Sequence, residues 1–249
     1  MKILDAIQII ESYAALYLPQ EGAICIADLH LGYEEALAEE IGMTLPTTQL
    51  NEVKKNFDAS IKACEANHLV INGDLRHVFA RSTPQEWAEV PEFIEFALQR
   101  VEKITLVRGN HDTMLGPLKR FSNVEIVEEY RLADIAFIHG HKDYFPSDEK
   151  TIVIGHEHPT LVLGDTIGAR VKIPAFLHGK VDGKNMIVMP AFSPLAGGTE
   201  VNLACKEDFL SPMLRRVDVG KMVAYGVDPE AGILKFPELR KWRDVSLRL

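Results

Sequence analysis

The sequence predicts an α/β fold, because short apolar runs alternate with segments of helical spacing along the first half of the chain. One amphipathic helix is predicted from Pro46 to about Asn67, and a second from Thr83 or Pro84 to Gln99. The resulting β-α-β-α-β order predicts parallel strands joined by crossover helices. After residue 124 the apolar runs follow one another with only turns between them. This change predicts a second, more antiparallel sheet packed on the first.

The predicted strands are short apolar runs bounded by turn residues. The first two are separated by a Pro-Gln-Glu-Gly turn, which favours a hairpin. In chain order the runs are Ala14–Leu18, Ala23–Ala27, His68–Ile71, Ile104–Val107, Val124–Val127, Ile135–Ile138, Ile152–Ile154, Leu161–Leu163, Phe176–Val181 and Asn185–Met189.

Composition indicates an ordinary globular protein. The chain has 249 residues, of which 47% are hydrophobic and 25% charged, so it can bury a full core. We expect one domain over residues 1–249. The net charge of −9 argues against a broad basic surface that binds nucleic acid, although an enzyme that contacts nucleic acid briefly stays possible.

The cysteines and the apolar runs bear on location. Cys25, Cys64 and Cys205 are too few and too scattered for a disulfide framework or a thiolate zinc site. No apolar signal core follows Met1, and no apolar run approaches the length of a membrane span. We therefore expect a cytoplasmic protein without a membrane partner.

Aspartate, asparagine and histidine residues follow five of the predicted strands. Strand ends are where α/β folds place their sites. Oxygen and nitrogen ligands without cysteine suit Mn²⁺, Fe or Zn²⁺. In Asp28-x-His30 and His156-x-His158, an extended backbone would put both side chains on one face. The five blocks are Asp28-Leu-His30, Gly73-Asp74, Gly109-Asn110-His111-Asp112, His139-Gly-His141 and Gly155-His156-Glu-His158.

Together these blocks resemble the calcineurin-like metallophosphoesterases, and four of the five match that family's pattern in full. The resemblance implies a four-layer α-β-β-α sandwich of two mixed sheets flanked by helices. It also implies two divalent metal ions, with Mn²⁺ favoured and Fe, Zn²⁺ or Ni²⁺ as alternatives. One ion would be held by Asp28, His30 and His158, the other by Asn110, His139 and His156, and Asp74 would bridge them.

The same resemblance implies catalytic roles for two further residues. His111 would donate a proton to the leaving alkoxide, and Asp112 would orient the ring of His111. Three residues beside the blocks are weaker candidates for substrate contact: His77, Arg108 and His141. An exposed structural role is equally open for His77. Arg76 and Arg108 could both hold a phosphate, although a salt bridge is the commoner role for such an arginine. His141 is also an alternative to His139 as a metal ligand.

One block departs from the family's pattern. His77 stands where most of the superfamily has a second acid, which leaves the role of that acid open. The variant block, with Ala27 to Glu34 and Met189 to Leu195, resembles the ICC-like phosphoesterase branch. That branch is archaeal in type and is related to bacterial ligase-associated DNA-damage-response endonucleases. It makes nucleic acid the first substrate to test, with single-stranded or damaged DNA as the candidate form.

Three functions are compatible with these observations. A metal-dependent phosphodiesterase or nuclease comes first, and a phosphatase or pyrophosphohydrolase for nucleotides or other small molecules comes second. A scaffold that has lost its chemistry comes last, since every expected ligand and His111 are present. Elsewhere, Trp87 is expected in the core, and the acidic residues from Glu34 to Glu40 are expected to form a solvated face. The oligomeric state is left open.

Overall fold

The protein contains two sheets, as seen in a computed structural model that describes residues 1–78, 83–164 and 170–246. The first sheet has strands β1 Lys2–Leu4, β2 Ile7–Ile9, β3 Leu16–Leu18, β4 Ala23–Ile26, β5 His68–Asn72, β6 Lys103–Val107 and β7 Val124–Val127. Their spatial order is their chain order. Strands β1 to β4 are antiparallel and β4 to β7 parallel.

The second sheet has strands β8 Tyr130–Leu132, β9 Ile135–Ile138, β10 Thr151–Ile154, β11 Thr160–Gly164, β12 Arg170–Val181, β13 Lys184–Val188, β14 Val223–Asp228 and β15 Gly232–Glu238. Its order is β15-β14-β12-β13-β10-β9-β8, with β11 paired to β12. The adjacent strands β9, β10 and β13 are parallel. The expected antiparallel character therefore holds only for the rest of this sheet.

The four helices are α1 Tyr33–Ile41, α2 Gln49–Lys62, α3 Pro84–Leu98 and α4 Leu239–Ser246. Helices α1 and α2 connect β4 to β5, and α3 connects β5 to β6. Helix α3 begins with a capping box in which Thr83 accepts from the N–H of Glu86, as the sequence Thr-Pro-Gln-Glu favours. Among the described residues, no helix is both long enough and apolar enough to span a bilayer.

Three apolar layers show how the elements pack. Between the sheets, Cys25 and Val70 of the first sheet lie in one cluster with Phe137 and Phe176 of the second. On the far side of the first sheet, α2 and α3 cover it with residues such as Phe57 and Phe93, whose ring centroids are 5.7 Å apart. On the far side of the second sheet, the segment before β14 and α4 supply Phe209, Leu214 and Leu239. The predicted sandwich of two mixed sheets flanked by helices is confirmed.

Two expectations about this region were wrong. The acidic residues from Glu34 to Glu40 lie on helix α1, which was not predicted, and they do not all form a solvated face. Glu34 is buried, and its carboxylate accepts hydrogen bonds from the N–H groups of Thr48 and Gln49. Trp87 is 53% exposed. The first two turns of α3 direct the buried Glu86 and Glu89 toward polar loops, so Trp87 between them faces outward.

Phe93 and Trp87 lie on the same helix and should therefore respond differently to truncation. Phe93→Ala should lower the free energy of unfolding by about 3–5 kcal/mol, because it opens a cavity between α3 and the sheet. Trp87→Ala should change it by about 0.5 kcal/mol or less, because the side chain is largely exposed. Urea denaturation followed by circular dichroism measures both, and equal losses would contradict this packing.

Candidate metal centre

The chemistry-bearing residues converge because the parallel strands of both sheets end at one shared edge. Asp28 and His30 follow β4, Asp74 follows β5, and Asn110 follows β6. In the other sheet His139 follows β9, and His156 and His158 follow β10. Hydrogen bonds join the loops within each sheet and between them, since Asp28 N donates to Gly73 O and His156 N donates to the Asp28 carboxylate.

The backbone of these loops is left-handed instead of extended. Asp28, His30, Asp74, His156 and His158 have φ angles of 55°, 47°, 44°, 67° and 47°. The expectation that an extended backbone aligns Asp28 with His30, and His156 with His158, was therefore wrong. Residues other than glycine rarely adopt this conformation, and it is held only where the surroundings over-determine it.

Two glycines allow the loops to approach the acidic side chains. A Cβ atom added to Gly155 would lie 2.6 Å from Oδ2 of Asp28, and one added to Gly109 would collide with Oδ1 of Asp74. Any side chain at these positions would displace a carboxylate. The glycines of the sequence blocks are thus required by close approach.

The first group of possible metal ligands comprises Asp28, His30 and His158. Nε2 of His30 lies 3.2 Å from Nε2 of His158, and Nε2 of His158 lies 3.4 Å from Oδ1 of Asp28. This Oδ1 atom is buried and makes no hydrogen bond among the described residues. The carbonyl of Gly197 lies 2.9 Å from Nδ1 of His158 and so leaves Nε2 facing the group.

The second group comprises Asp74, His139 and His156, with Asn110 beside them. Nε2 of His139 lies 3.1 Å from Oδ1 of Asn110 and 3.2 Å from Oδ2 of Asp74. Asp74 also lies near the first group, because its Oδ2 is 3.9 Å from Nε2 of His30. Asp74 is therefore the carboxylate placed between the two groups.

The donor set fits divalent cations. Buried oxygen and nitrogen atoms with lone pairs turned toward one another repel unless a proton or a cation lies between them. The described ligands are carboxylate, amide and imidazole groups, which suit Mn²⁺, Fe and Zn²⁺. The protein thus has candidate His and Asp groups for binding metal, and nothing in the donor set selects one ion.

Protonation in this cluster follows from burial and from Asp74. Burial and the neighbouring His139 lower the pKa of His156 to about 3, and burial and His158 lower the pKa of His30 well below its usual range. Both rings are therefore neutral, as a metal ligand must be. Burial also disfavours the charged form of His139, but the negative charge of Asp74 outweighs it and raises the pKa of His139 to about 9. In the absence of metal, the His139 ring is thus cationic, and a bound metal ion would have to displace its second proton.

His111 lies beside the cluster, as expected, but its ring is not contacted by Asp112. His111 Nε2 lies 3.9 Å from Oδ2 of Asp74, and His111 Nδ1 contacts the carbonyl oxygen of His77. The Asp112 carboxylate instead accepts hydrogen bonds from the N–H groups of Leu75, Arg76 and Gly109. Asp112 holds two loops together, and the His77 carbonyl takes the orienting contact that was expected of Asp112.

The three candidate substrate residues lie at the edge of the cluster. The ring of His77 lies 5.4 Å from that of His30 and 4.3 Å from that of Tyr33. The ring of His141 lies 5.2 Å from that of His139. Arg108 is half exposed, with Nε 3.5 Å from a carboxylate oxygen of Glu128. Arg76, the other arginine considered, is buried, and its guanidinium lies 2.8 Å from the Glu86 carboxylate.

Sequence reasoning missed the buried polar residues that hold the loops. The Gln49 amide lies 2.9 Å from the carbonyl of His30 and 2.8 Å from Oγ of Ser193. Glu157, fully buried between His156 and His158, accepts from the N–H groups of Leu210 and Ser211. Glu157 lies within the last sequence block, and its position there could have marked it as a candidate. No motif or spacing in the sequence indicates a role for Gln49.

Comparison with known proteins identifies the family. A sequence profile of the calcineurin-like phosphoesterases matches residues 23–184, which contain all five blocks. The chain belongs to the calcineurin-like phosphoesterase family. Membership supports a metal-dependent phosphoester hydrolase, while the ICC-like branch stays a prediction.

Two solved structures are similar to this chain. The nuclease MPE of Pseudomonas putida shares 22% identity, covers 90% of this chain and 92% of its own, and has a TM-score of 0.63. The phosphoesterase YfcE of E. coli shares 18% identity over 71% of this chain and 83% of its own, with a TM-score of 0.42. No curated protein matches the chain in sequence. At these identities the likeness to the nuclease shows the fold alone.

Metal binding should depend on Asp74. Because bound metal stabilises only the folded state, Mn²⁺ at 100 times its dissociation constant should add about 2.7 kcal/mol per site to the free energy of unfolding. Asp74→Asn should lose most of this gain, because the carboxylate faces both groups. Asp134→Asn, an exposed partner of Lys150, is the matched control and should keep it. Calorimetric unfolding with Mn²⁺ and with chelator measures the gain, and an unchanged gain in Asp74→Asn would place the metal elsewhere.

Proposed function

We propose that this chain is a two-metal phosphodiesterase that acts on nucleic acid, with single-stranded or damaged DNA as its first candidate substrate. The observation that carries the proposal is the meeting of two ligand groups at Asp74, with His111 beside them. Two adjacent cations suit an in-line displacement at phosphorus, since one site can serve the attacking oxygen and the other the leaving oxygen.

The proposed metal ligands are those of the two groups. Asp28, His30 and His158 would hold one Mn²⁺ ion, and Asn110, His139 and His156 the other, with Asp74 shared. Divalent cations at these positions would supply Lewis acidity for the phosphate and a nucleophile at neutral pH. Fe, Zn²⁺ and Ni²⁺ accept the same ligands.

His111 is the proposed proton donor. Its Nδ1 contacts the His77 carbonyl, which can only accept a hydrogen bond, so Nδ1 carries the proton in the neutral ring. In the cationic ring Nε2 carries the second proton, and this is the proton that His111 would give to a leaving oxygen. The side chain is 27% exposed and so can reach a bound substrate. A positioned acid of this kind contributes about 10²–10⁴ to the rate.

A cleft next to the second ligand group supports a substrate larger than phosphate. It has a volume of about 210 Å³, and His139, His141, Lys142 and Tyr144 contribute to its walls. Tyr144 is 45% exposed, so a base can stack on its ring. The fold is shared with a nuclease, so it can accommodate a substrate of this class.

Surface charge limits how such a substrate is held. With a net charge of −9 the chain cannot neutralise a long phosphate backbone, so binding should rely on the centre and the cleft. The same acidity favours nucleotides as the alternative substrates. The described cysteines are all unpaired, which supports our proposal of a reducing, cytoplasmic location.

Hydrolysis of bis-p-nitrophenyl phosphate and of single-stranded DNA tests the proposal. Both should be cleaved with Mn²⁺ and neither with chelator. His111→Ala should lose about 10² or more on DNA, where the leaving group needs a proton. His178→Ala is the matched control, since His178 lies on β12 and its ring contacts Asn185.

The outcomes separate the candidate functions. Cleavage of the small diester and of nucleotides, but not of DNA, would favour the nucleotide hydrolase. Cleavage of monoesters alone would identify a phosphatase, and inactivity of the metal-loaded protein on every ester would contradict both enzyme proposals.

A further inference from the structure

The carboxylate of Glu86 is buried, although Glu86 belongs to neither of the two ligand groups described above. Glu86 lies in the first turn of α3, and its side chain is 1% exposed. One oxygen, Oε2, accepts from the Arg76 guanidinium at 2.8 Å and from Thr83 N at 3.2 Å. The other, Oε1, accepts from His77 N at 3.1 Å and from Val78 N at 2.6 Å.

The hydrogen bond between Val78 N and Glu86 is linked to His111 through the His77–Val78 peptide unit. The N–H of Val78 and the C=O of His77 belong to one planar peptide unit and point in opposite directions. The N–H of that unit donates to Glu86, and its C=O contacts Nδ1 of His111. Glu86, one peptide unit and the His111 ring therefore form a continuous hydrogen-bonded chain.

This series of hydrogen bonds has two physical consequences for His111. A carboxylate behind the peptide N–H polarises the unit and makes its carbonyl a better acceptor. The bond also fixes the plane of the peptide, so the carbonyl points at Nδ1 and Nε2 is left to face the metal centre.

Residues 75 to 77 have other hydrogen-bond acceptors, whereas the N–H of Val78 bonds to Glu86. Asp112 accepts from the N–H groups of Leu75 and Arg76, at 3.1 and 3.4 Å. The N–H of His77 also donates to Leu31 O at 3.1 Å. Val78 N has no such second acceptor among the described bonds. Capping of α3 engages only Oε2, so it does not explain the use of Oε1.

We propose that Glu86 is a positioning residue for His111, acting through the His77–Val78 peptide unit. The inference rests on the proposed function, in which the cationic His111 ring gives its Nε2 proton to the leaving oxygen as the bond from that oxygen to phosphorus breaks, and is left neutral with its remaining proton on Nδ1. Glu86 sets the tautomer and direction of the ring and does not itself touch substrate.

Leaving-group dependence is the kinetic test. Glu86→Ala should lower kcat/KM by about 10-fold or more for thymidylyl-thymidine, whose leaving alcohol needs a proton. It should change kcat/KM by less than about 3-fold for the p-nitrophenyl ester of thymidine monophosphate, whose phenolate leaves without one. The ratio of the two values does not depend on the folded fraction, so partial unfolding cannot imitate the result.

Two variants on the same helix are controls. Thr83→Ala removes the N-cap and should lower the melting temperature without changing the ratio. Glu92→Gln removes an exposed carboxylate that pairs with Lys54 and should change neither quantity. A ratio in Glu86→Ala equal to that of wild type and of Thr83→Ala would overturn the inference.

Nitrogen NMR of the His111 ring tests the same inference without activity. In metal-free protein, with the signal assigned through its loss in His111→Ala, wild type and Thr83→Ala should show the tautomer protonated at Nδ1. Glu86→Ala should show both tautomers in exchange. If Glu86→Ala keeps the wild-type tautomer, the inference fails. If wild type cleaves no diester but the tautomer shift appears, the positioning contact stands and only the proposed function fails.

Discussion

The structure depends on keeping unsatisfied ligand atoms close together at one buried edge. Nitrogen atoms of His30 and His158 face each other at 3.2 Å, and the Asp28 and Asp74 carboxylates lie within the same cluster. Such an arrangement is unfavourable in the empty protein, since each group has given up water for a neighbour of similar polarity. The two proposed divalent cations would relieve it, so that metal binding would make an otherwise unfavourable arrangement favourable.

The loops that carry these atoms need support, because five of the proposed ligands lie in the left-handed region. That support comes from buried polar side chains on surrounding elements. Gln49 of α2 holds the carbonyl of His30, and Glu157 ties the second histidine loop to the N–H groups of Leu210 and Ser211. The helices therefore do more than cover the sheet, because their buried polar residues define the geometry of the centre.

The sequence predicts the residues of the site better than it predicts their surroundings. Each of the five blocks follows a strand that the local sequence already indicates. The blocks could therefore be expected to meet at one edge, and the resemblance assigns a role to each of them. The extended backbone assumed for Asp28-x-His30 was wrong, since spacing gives no information about loop dihedrals that are held by tertiary contacts. The polar burial of Glu34 and Glu86 was hidden for the same reason, because their partners are backbone N–H groups of distant loops.

The hydrogen bonds of Asp112 differ from those that the family resemblance implied. The carboxylate is buried, and burial together with the charge of Asp74 raises its pKa to about 6. Its hydrogen bonds go to the backbone of residues 75, 76 and 109. The ring that it was expected to orient is contacted by the His77 carbonyl instead. Which residue orients a catalytic ring depends on the path of one loop, and a motif cannot specify that path.

A crystal structure of the Mn²⁺-loaded protein, with anomalous diffraction, tests the central claim most directly. The account predicts two anomalous peaks, one among Asp28, His30 and His158 and one among Asn110, His139 and His156, with a carboxylate oxygen of Asp74 contacting both. A single peak, or a second peak away from Asp74, would contradict the two-metal centre.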